Sequence, residues 1–267
     1  MHNIFVDFFK SIRIFNVLAI ACAQWIVSIA LKDSVFIAIF YTFLLSSMGY
    51  LQNNILDYDL DTLGKKRANQ FLTAYFNFSN NLIFGIHVFV WLSSIYFLLY
   101  GNIIHSCMIL ANWFLLNLYN YFLKKYPLIG NVTVALLSSN AILYIFWLQD
   151  NLNSTNGLFL GFIFVLSLLR EIVKDIEDKE VDIQYGYQTL PILLSINQIK
   201  IVTVLLTFAI LYLLIGLDIP TWGKGLVASL LMLQSIFTFK NRYSQASLVL
   251  KVVFFVGILM LGVKGVL

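Results

Sequence analysis

Nine apolar stretches of about twenty residues each, divided by short polar breaks, fill most of this chain. A helix of that length crosses the roughly 30 Å hydrocarbon core of a bilayer. Only 11% of the 267 residues are charged and 60% are hydrophobic, whereas soluble domains carry roughly 25% charge. The mean hydropathy of +0.86 agrees. A soluble enzyme is excluded, and the spans leave no room for a separate soluble domain. The expected architecture is an all-α, polytopic membrane bundle forming one domain over 1–267. Its helices are predicted at 14–31, 35–56, 81–100, 103–123, 128–148, 157–176, 197–216, 222–239 and 247–267, around a central cavity open to the cytoplasmic side.

The polar breaks set the topology. Pro127 disfavours continuing the helix before it, so the fourth and fifth helices meet in a tight turn. With the N-terminus inside, thirteen basic residues fall on the inner face: Lys10, Arg13, Lys65, Lys66, Arg67, Lys124, Lys125, Arg170, Lys174, Lys179, Lys200, Lys240 and Arg242. Lys32, Lys224 and Lys264 fall outside, and Lys251 lies within the last helix. This is a positive-inside asymmetry, which predicts a cytoplasmic N-terminus. Ala21-Cys22-Ala23 resembles a signal-peptidase site, but Arg13 leaves too few apolar residues before it, and no cleaved leader is expected. Cys22 and Cys107 lie within apolar runs, so no structural disulfide is expected. The net charge of +4 is small, and no nucleic-acid partner is expected.

The acidic residues are distributed very differently. Nine of the thirteen sit in two short runs. Asp57, Asp59 and Asp61 form one, inside NNILDYDLD; Glu171, Asp175, Glu177, Asp178, Glu180 and Asp182 form the other, inside REIVKDIEDKEVD. Both fall on the predicted cytoplasmic face. Asn53, Asp57 and Asp61 are spaced i, i+4, i+8, and Asp178 and Asp182 repeat the four-residue interval one turn after Asp175, so each set lines one side of a helix. Like charges at that spacing repel unless a cation lies among them. Oxygen ligands without His or Cys suit Mg²⁺, which takes one or two carboxylates and completes its shell with water and substrate phosphate. Two facing aspartate pairs bridged through Mg²⁺ to a diphosphate make a coherent site. Ionisable residues at a membrane edge are functional candidates by default, and two matched clusters on one face are more than solvated loops require. The basic residues on that face suit a polyanion, although positive-inside topology alone would place them there. His87 and His105 lie within apolar spans and are read as packing or hydrogen-bonding residues. A cation-coupled transporter is the alternative of another class, but its site would be expected near the bilayer midplane, between inverted repeats.

With these motifs in place, nearly the whole chain resembles the UbiA superfamily of intramembrane prenyltransferases. GYLQNNILDYDLD at 49–61 is similar to the first acidic motif, NDxxDxxxD. KDIEDKEVD at 174–182 is similar to the second, and GYQTLP at 186–191 to the GxxTLP that follows it. LYNYFLKKYPLIGNVTVA at 118–135 resembles the segment with a tyrosine, a basic pair and a PLIGN turn. Arg13-Ile14-Phe15-Asn16 resembles the RPxN opening of the first helix. REIVKDIED is further similar to the enzymes that add a second geranylgeranyl chain to geranylgeranylglyceryl phosphate. The chain departs from the pattern at Asn54 (usually Asp), Ile14 (usually Pro), Val181 (usually Gly) and in TLGKKRANQF, which lacks the NxPxRP prolines.

The resemblance implies Mg²⁺-dependent transfer of an isoprenyl group from its diphosphate to a lipid, with an aromatic or chlorophyll-synthase-like acceptor as the alternative. It assigns metal binding to Asp57, Asp61, Asp178 and Asp182, supported by Asn53 and Asp175. Diphosphate contacts are expected from Lys124 and Arg170, joined by Arg13 and Lys174, with Asn16 carried in the opening motif. Tyr119 is expected to face the diphosphate or the allylic cation. Phe122, Tyr144, Phe146 and Trp147 are candidate ring faces for that cation.

Overall fold

The computed structural model describes residues 4–28, 33–57, 70–184 and 186–266. Every long element among them is an α-helix: α1 (Ile4–Ser11), α2 (Ile14–Val27), α3 (Asp33–Leu56), α4 (Gln70–Leu99), α5 (Ile103–Tyr121), α6 (Ile129–Leu148), α7 (Ser154–Gln184), the short α8 (Leu190–Leu193), α9 (Ile196–Gly216), α10 (Thr221–Phe239) and α11 (Tyr243–Val266). A 3₁₀ turn, Leu123–Lys125, separates α5 from α6. Seven of the described helices are long and apolar enough to cross a membrane, namely α3, α4, α6, α7, α9, α10 and α11. The protein is a multi-pass membrane protein. Each of the nine predicted spans overlaps a described helix, but α2 and α5 are not among the seven, and α1 and α8 lie outside the predicted spans.

Two boundaries differ most from the sequence expectation. The third predicted helix, α4, begins at Gln70 rather than 81, because a non-helical Tyr75 (φ −128°, ψ 32°) kinks it without ending it. The sixth predicted helix runs on to Gln184 instead of stopping at 176. At 1.5 Å per residue its 31 residues span about 46 Å, well beyond a hydrocarbon core of roughly 30 Å. Polarity alone suggested a loop after 176. The charged residues there instead keep the helical three- and four-residue spacing and extend the rod.

The chain forms two compact units, Met1–Trp25 with Ala30–Phe122, and Ile26–Ile29 with Leu123–Leu267. In the first, α3 packs on α4 and α5, and α1 lies against α3 and α4. Its core gathers Ile12, Tyr41, Leu45, Met48, Leu51, Val90 and Ile109. In the second, α7 is the central rod and touches α6, α8, α9 and α11. Phe159, Phe162, Ile163, Leu166, Leu169, Ile172 and Val173 are almost wholly buried along it, at the spacing of one helical face. A second apolar cluster joins Ala135 of α6, Ile172 and Ile176 of α7, and Ile199 of α9. Ser195 and Gln198 close a capping box at the start of α9. Lys200 donates to the Phe239 carbonyl at 3.2 Å and to Asn241 Oδ1 at 2.8 Å, a cation set at the negative end of α10.

Candidate active site

In the first unit the acidic motif closes α3. Asn53 Nδ2 donates to Asp57 Oδ2 at 2.9 Å across one helical turn. The residues beneath are held by a buried amide network. Gln52, 2% exposed, donates through Nε2 to Asn117 Oδ1 at 3.1 Å. Its Oε1 accepts from Asn120 Nδ2 at 2.8 Å, and the same Nδ2 reaches the Gly49 carbonyl at 3.1 Å. These bonds tie the end of α3 to the end of α5, where Tyr119 lies half-buried. Bonded side-chain amides between membrane helices contribute about 0.6–2 kcal/mol each.

Asn54, where the family motif usually has an aspartate, bonds away from the motif. Its Nδ2 donates to the Ser11 carbonyl at 2.6 Å, securing the end of α1 to α3. Ionised aspartate has no donor for that carbonyl. Beyond α1, Arg13 adopts φ +49°, and its carbonyl accepts the Asn16 and Val17 amides, opening α2. The Arg13 guanidinium carbon lies 5.1 Å from the centre of the Tyr50 ring on α3, a cation–π contact. Thus Arg13, Asn16, Asn53, Asp57 and Tyr119 are parts of one unit. Asp61, Asp59, Lys65, Lys66 and Arg67 lie outside the described residues.

The second unit carries the other acidic motif on α7, with Asp175, Asp178 and Asp182 half-buried and Glu177 and Glu180 exposed. Asn131, at the start of α6, donates to Asp175 Oδ2 at 2.7 Å. Thr189 Oγ1 donates to Asp182 Oδ2 at 3.0 Å. Neither donor stands among the residues expected at the site, although both sit inside the quoted PLIGN and GYQTLP strings. Lys124 and Lys125 occupy the 3₁₀ turn, which lies tight against the start of α6. A Cβ on Gly130 would meet the Leu123 carbonyl oxygen at 3.0 Å and the Lys124 Cα at 3.1 Å, so a larger residue would push the backbone of the basic turn away. The tight turn expected at Pro127 is present, with Leu128 at φ +63°.

Arg170 and Lys174 precede the acids on α7, both half-buried. Arg170 donates through Nη1 to Glu171, which is 8% exposed. Glu171 is therefore the partner of Arg170 rather than a peripheral acid. The Arg170 Nε is buried and makes no hydrogen bond. Among the aromatic candidates, Tyr144 and Phe146 are buried, whereas Phe122 and Trp147 are exposed. The histidines do serve in packing: Trp113 Nε1 donates to His87 Nδ1 at 2.8 Å, and His105 lies 5.0 Å from Phe97, centre to centre.

Among the described residues, no three His, Cys, Asp or Glu side chains form a ready-made metal group. The donors on α7 are nevertheless all carboxylate, with an amide and a hydroxyl behind them. That set fits a hard cation sharing its shell with phosphate and water.

Comparison with known proteins gives the arrangement its context. The UbiA prenyltransferase family profile matches residues 14–261. The digeranylgeranylglyceryl phosphate synthase of Methanococcus maripaludis (strain C5) is 30% identical over 212 residues, covering 76% of this chain and 74% of the relative. A solved structure from work on the biosynthesis of digeranylgeranylglyceryl phosphate synthase in membranes superposes with a TM-score of 0.73 at 22% identity, covering 98% of this chain and 99% of that one. A UbiA homolog from Archaeoglobus fulgidus bound to GPP and Mg²⁺ gives a TM-score of 0.68 at 11% identity, covering 97% and 99%. The matched profile spans nearly every helix described above, and the chain belongs to the UbiA prenyltransferase family.

Proposed function

We propose that this prenyltransferase moves a geranylgeranyl group from its diphosphate to the free hydroxyl of geranylgeranylglyceryl phosphate, in ether-lipid synthesis, with Mg²⁺ as cofactor. The whole chain acts as one prenyltransferase domain, with its N-terminus and site mouth on the cytoplasmic side. Asp57, Asp61, Asp178 and Asp182 bind the metal, with Asn53 and Asp175 supporting them. Bound Mg²⁺ would neutralise the charge that builds on the departing diphosphate. Lys124, Arg170, Lys174 and Arg13 hold the diphosphate, Asn16 is a further substrate contact, and Tyr119 donates to the diphosphate or faces the allylic cation. The C–O bond to the diphosphate breaks with its electron pair going to the leaving group. The acceptor oxygen bonds to the same carbon, and its proton passes to the released diphosphate or to water.

One observation carries the reading. Asp175 and Asp182, near the polar end of α7, are each held by a hydrogen bond from outside their own helix. Acids present only for solubility would be solvated, as Glu177 and Glu180 are. The acceptor rests on the Methanococcus maripaludis relative, a digeranylgeranylglyceryl phosphate synthase. The donor class and metal rest on the Archaeoglobus fulgidus homolog bound to GPP and Mg²⁺.

The test is an assay of purified protein with geranylgeranyl diphosphate and Mg²⁺, against geranylgeranylglyceryl phosphate, 4-hydroxybenzoate, dihydroxynaphthoate and a chlorophyllide. Product from the glyceryl phosphate is expected. Product from an aromatic acceptor alone would overturn the acceptor assignment.

A further inference from the structure

Just beyond Asp182, the last aspartate of α7, the helix closes on Gly186. Gly186 adopts φ +69°, its amide donates to the Ile183 carbonyl at 3.2 Å, and the Tyr187 amide donates to the Asp182 carbonyl at 3.0 Å. This pair of bonds is the Schellman closure of a helix on glycine. One residue later the Gln188 amide donates to the Lys125 carbonyl at 3.1 Å. Next comes Thr189, 6% exposed, whose hydroxyl donates to Asp182 Oδ2 at 3.0 Å. Asp182 is thus gripped at its main chain and at its carboxylate by the segment that is also stapled to the basic turn.

Thr189 occupies the N-cap position of α8, where a threonine ordinarily turns its hydroxyl to the amides of its own helix. It makes no such bond. The buried hydroxyl is committed to Asp182 instead, and a hydrogen bond to a carboxylate is stronger than one to a neutral partner. Pro191, buried in the first turn of α8, needs no amide partner there and fixes the direction of the chain.

We propose that Thr189 is a positioning residue for the prenyl-transfer site. Its hydroxyl fixes the orientation of the Asp182 carboxylate toward a divalent cation, and the Gln188 staple keeps that carboxylate in register with the Lys124–Lys125 turn. This rests on Asp182 being a metal ligand, as set out above. Partners that orient a ligating carboxylate typically change metal affinity by about 10–100-fold when removed.

The experiment uses the full chain in detergent, with Mn²⁺ as the probe and binding read by electron paramagnetic resonance without substrate. Prenyl transfer is measured in parallel as a function of Mg²⁺. Thr189→Val keeps the shape and removes the donor; Thr189→Ser keeps the donor. The valine variant is expected to bind Mn²⁺ about tenfold or more weakly and to need correspondingly more Mg²⁺, while the serine variant stays within about threefold of the unchanged protein. Affinity of the valine variant within twofold of the unchanged protein would overturn the proposal. A serine variant as impaired as the valine one would do so too, since packing alone would then explain the loss. If the unchanged protein neither binds Mn²⁺ nor transfers a prenyl group, the proposed function fails and takes this role with it. If it does both and Thr189→Val matches it, only the role of Thr189 fails.

Discussion

Asn131 at the start of α6 donates a 2.7 Å hydrogen bond to Asp175 on α7, joining residues 44 positions apart. The bond ties the first acid of the second motif to the start of α6. Asn131→Ala removes the donor and leaves a half-buried carboxylate oxygen without it, which costs about 1–3 kcal/mol. We expect a lower unfolding midpoint in detergent and at least a tenfold loss of kcat/KM. Asn131→Asp should be worse than alanine, because it sets two carboxylates at hydrogen-bonding distance. Thermal unfolding and steady-state rates of the two variants check this order.

Asn54→Asp restores the residue usual in the family's first motif, yet it should harm this chain. The amide of Asn54 donates to the Ser11 carbonyl, and a carboxylate there would set acceptor against acceptor. The expected cost is about 1–3 kcal/mol, seen as a lower midpoint in denaturation. A gain in activity with unchanged stability would show that Asn54 is instead a degraded metal ligand.

Gln52→Leu should destabilise the first unit without touching any proposed ligand. It removes a donor to Asn117 and an acceptor for Asn120, leaving two amides between α3 and α5 short of a partner. The expected loss is about 1–2 kcal/mol. Since Asn53 and Asp57 follow on the same helix, the Mg²⁺ requirement should rise together with the loss of stability.

The helices were legible because their apolar runs are long and their breaks are charged. The polar end of α7 was read as a loop because hydropathy falls after Ile176, although the positions of Asp175, Asp178 and Asp182 already carried the helical interval. The same spacing singled out the half-buried acids and left Glu177 and Glu180 aside. It set Glu171 aside as well, and the structure makes that residue the partner of Arg170. Asn131 and Thr189 could not be assigned from the sequence. Periodicity tells which side of a helix is buried, not which distant side chain it meets. The one available signal was their position inside strings that resemble family motifs. Asn54 was visible as a departure, but its reason lies in the Ser11 carbonyl, a backbone atom that residue spacing does not reveal.

The most direct test compares Mg²⁺-dependent prenyl transfer to geranylgeranylglyceryl phosphate by the unchanged protein, Asp57→Ala and Asp178→Ala, each first shown to insert in membranes. The account expects transfer by the unchanged protein and a loss of about a hundredfold or more in each variant. Near-normal turnover by either variant with Mg²⁺ present would contradict it.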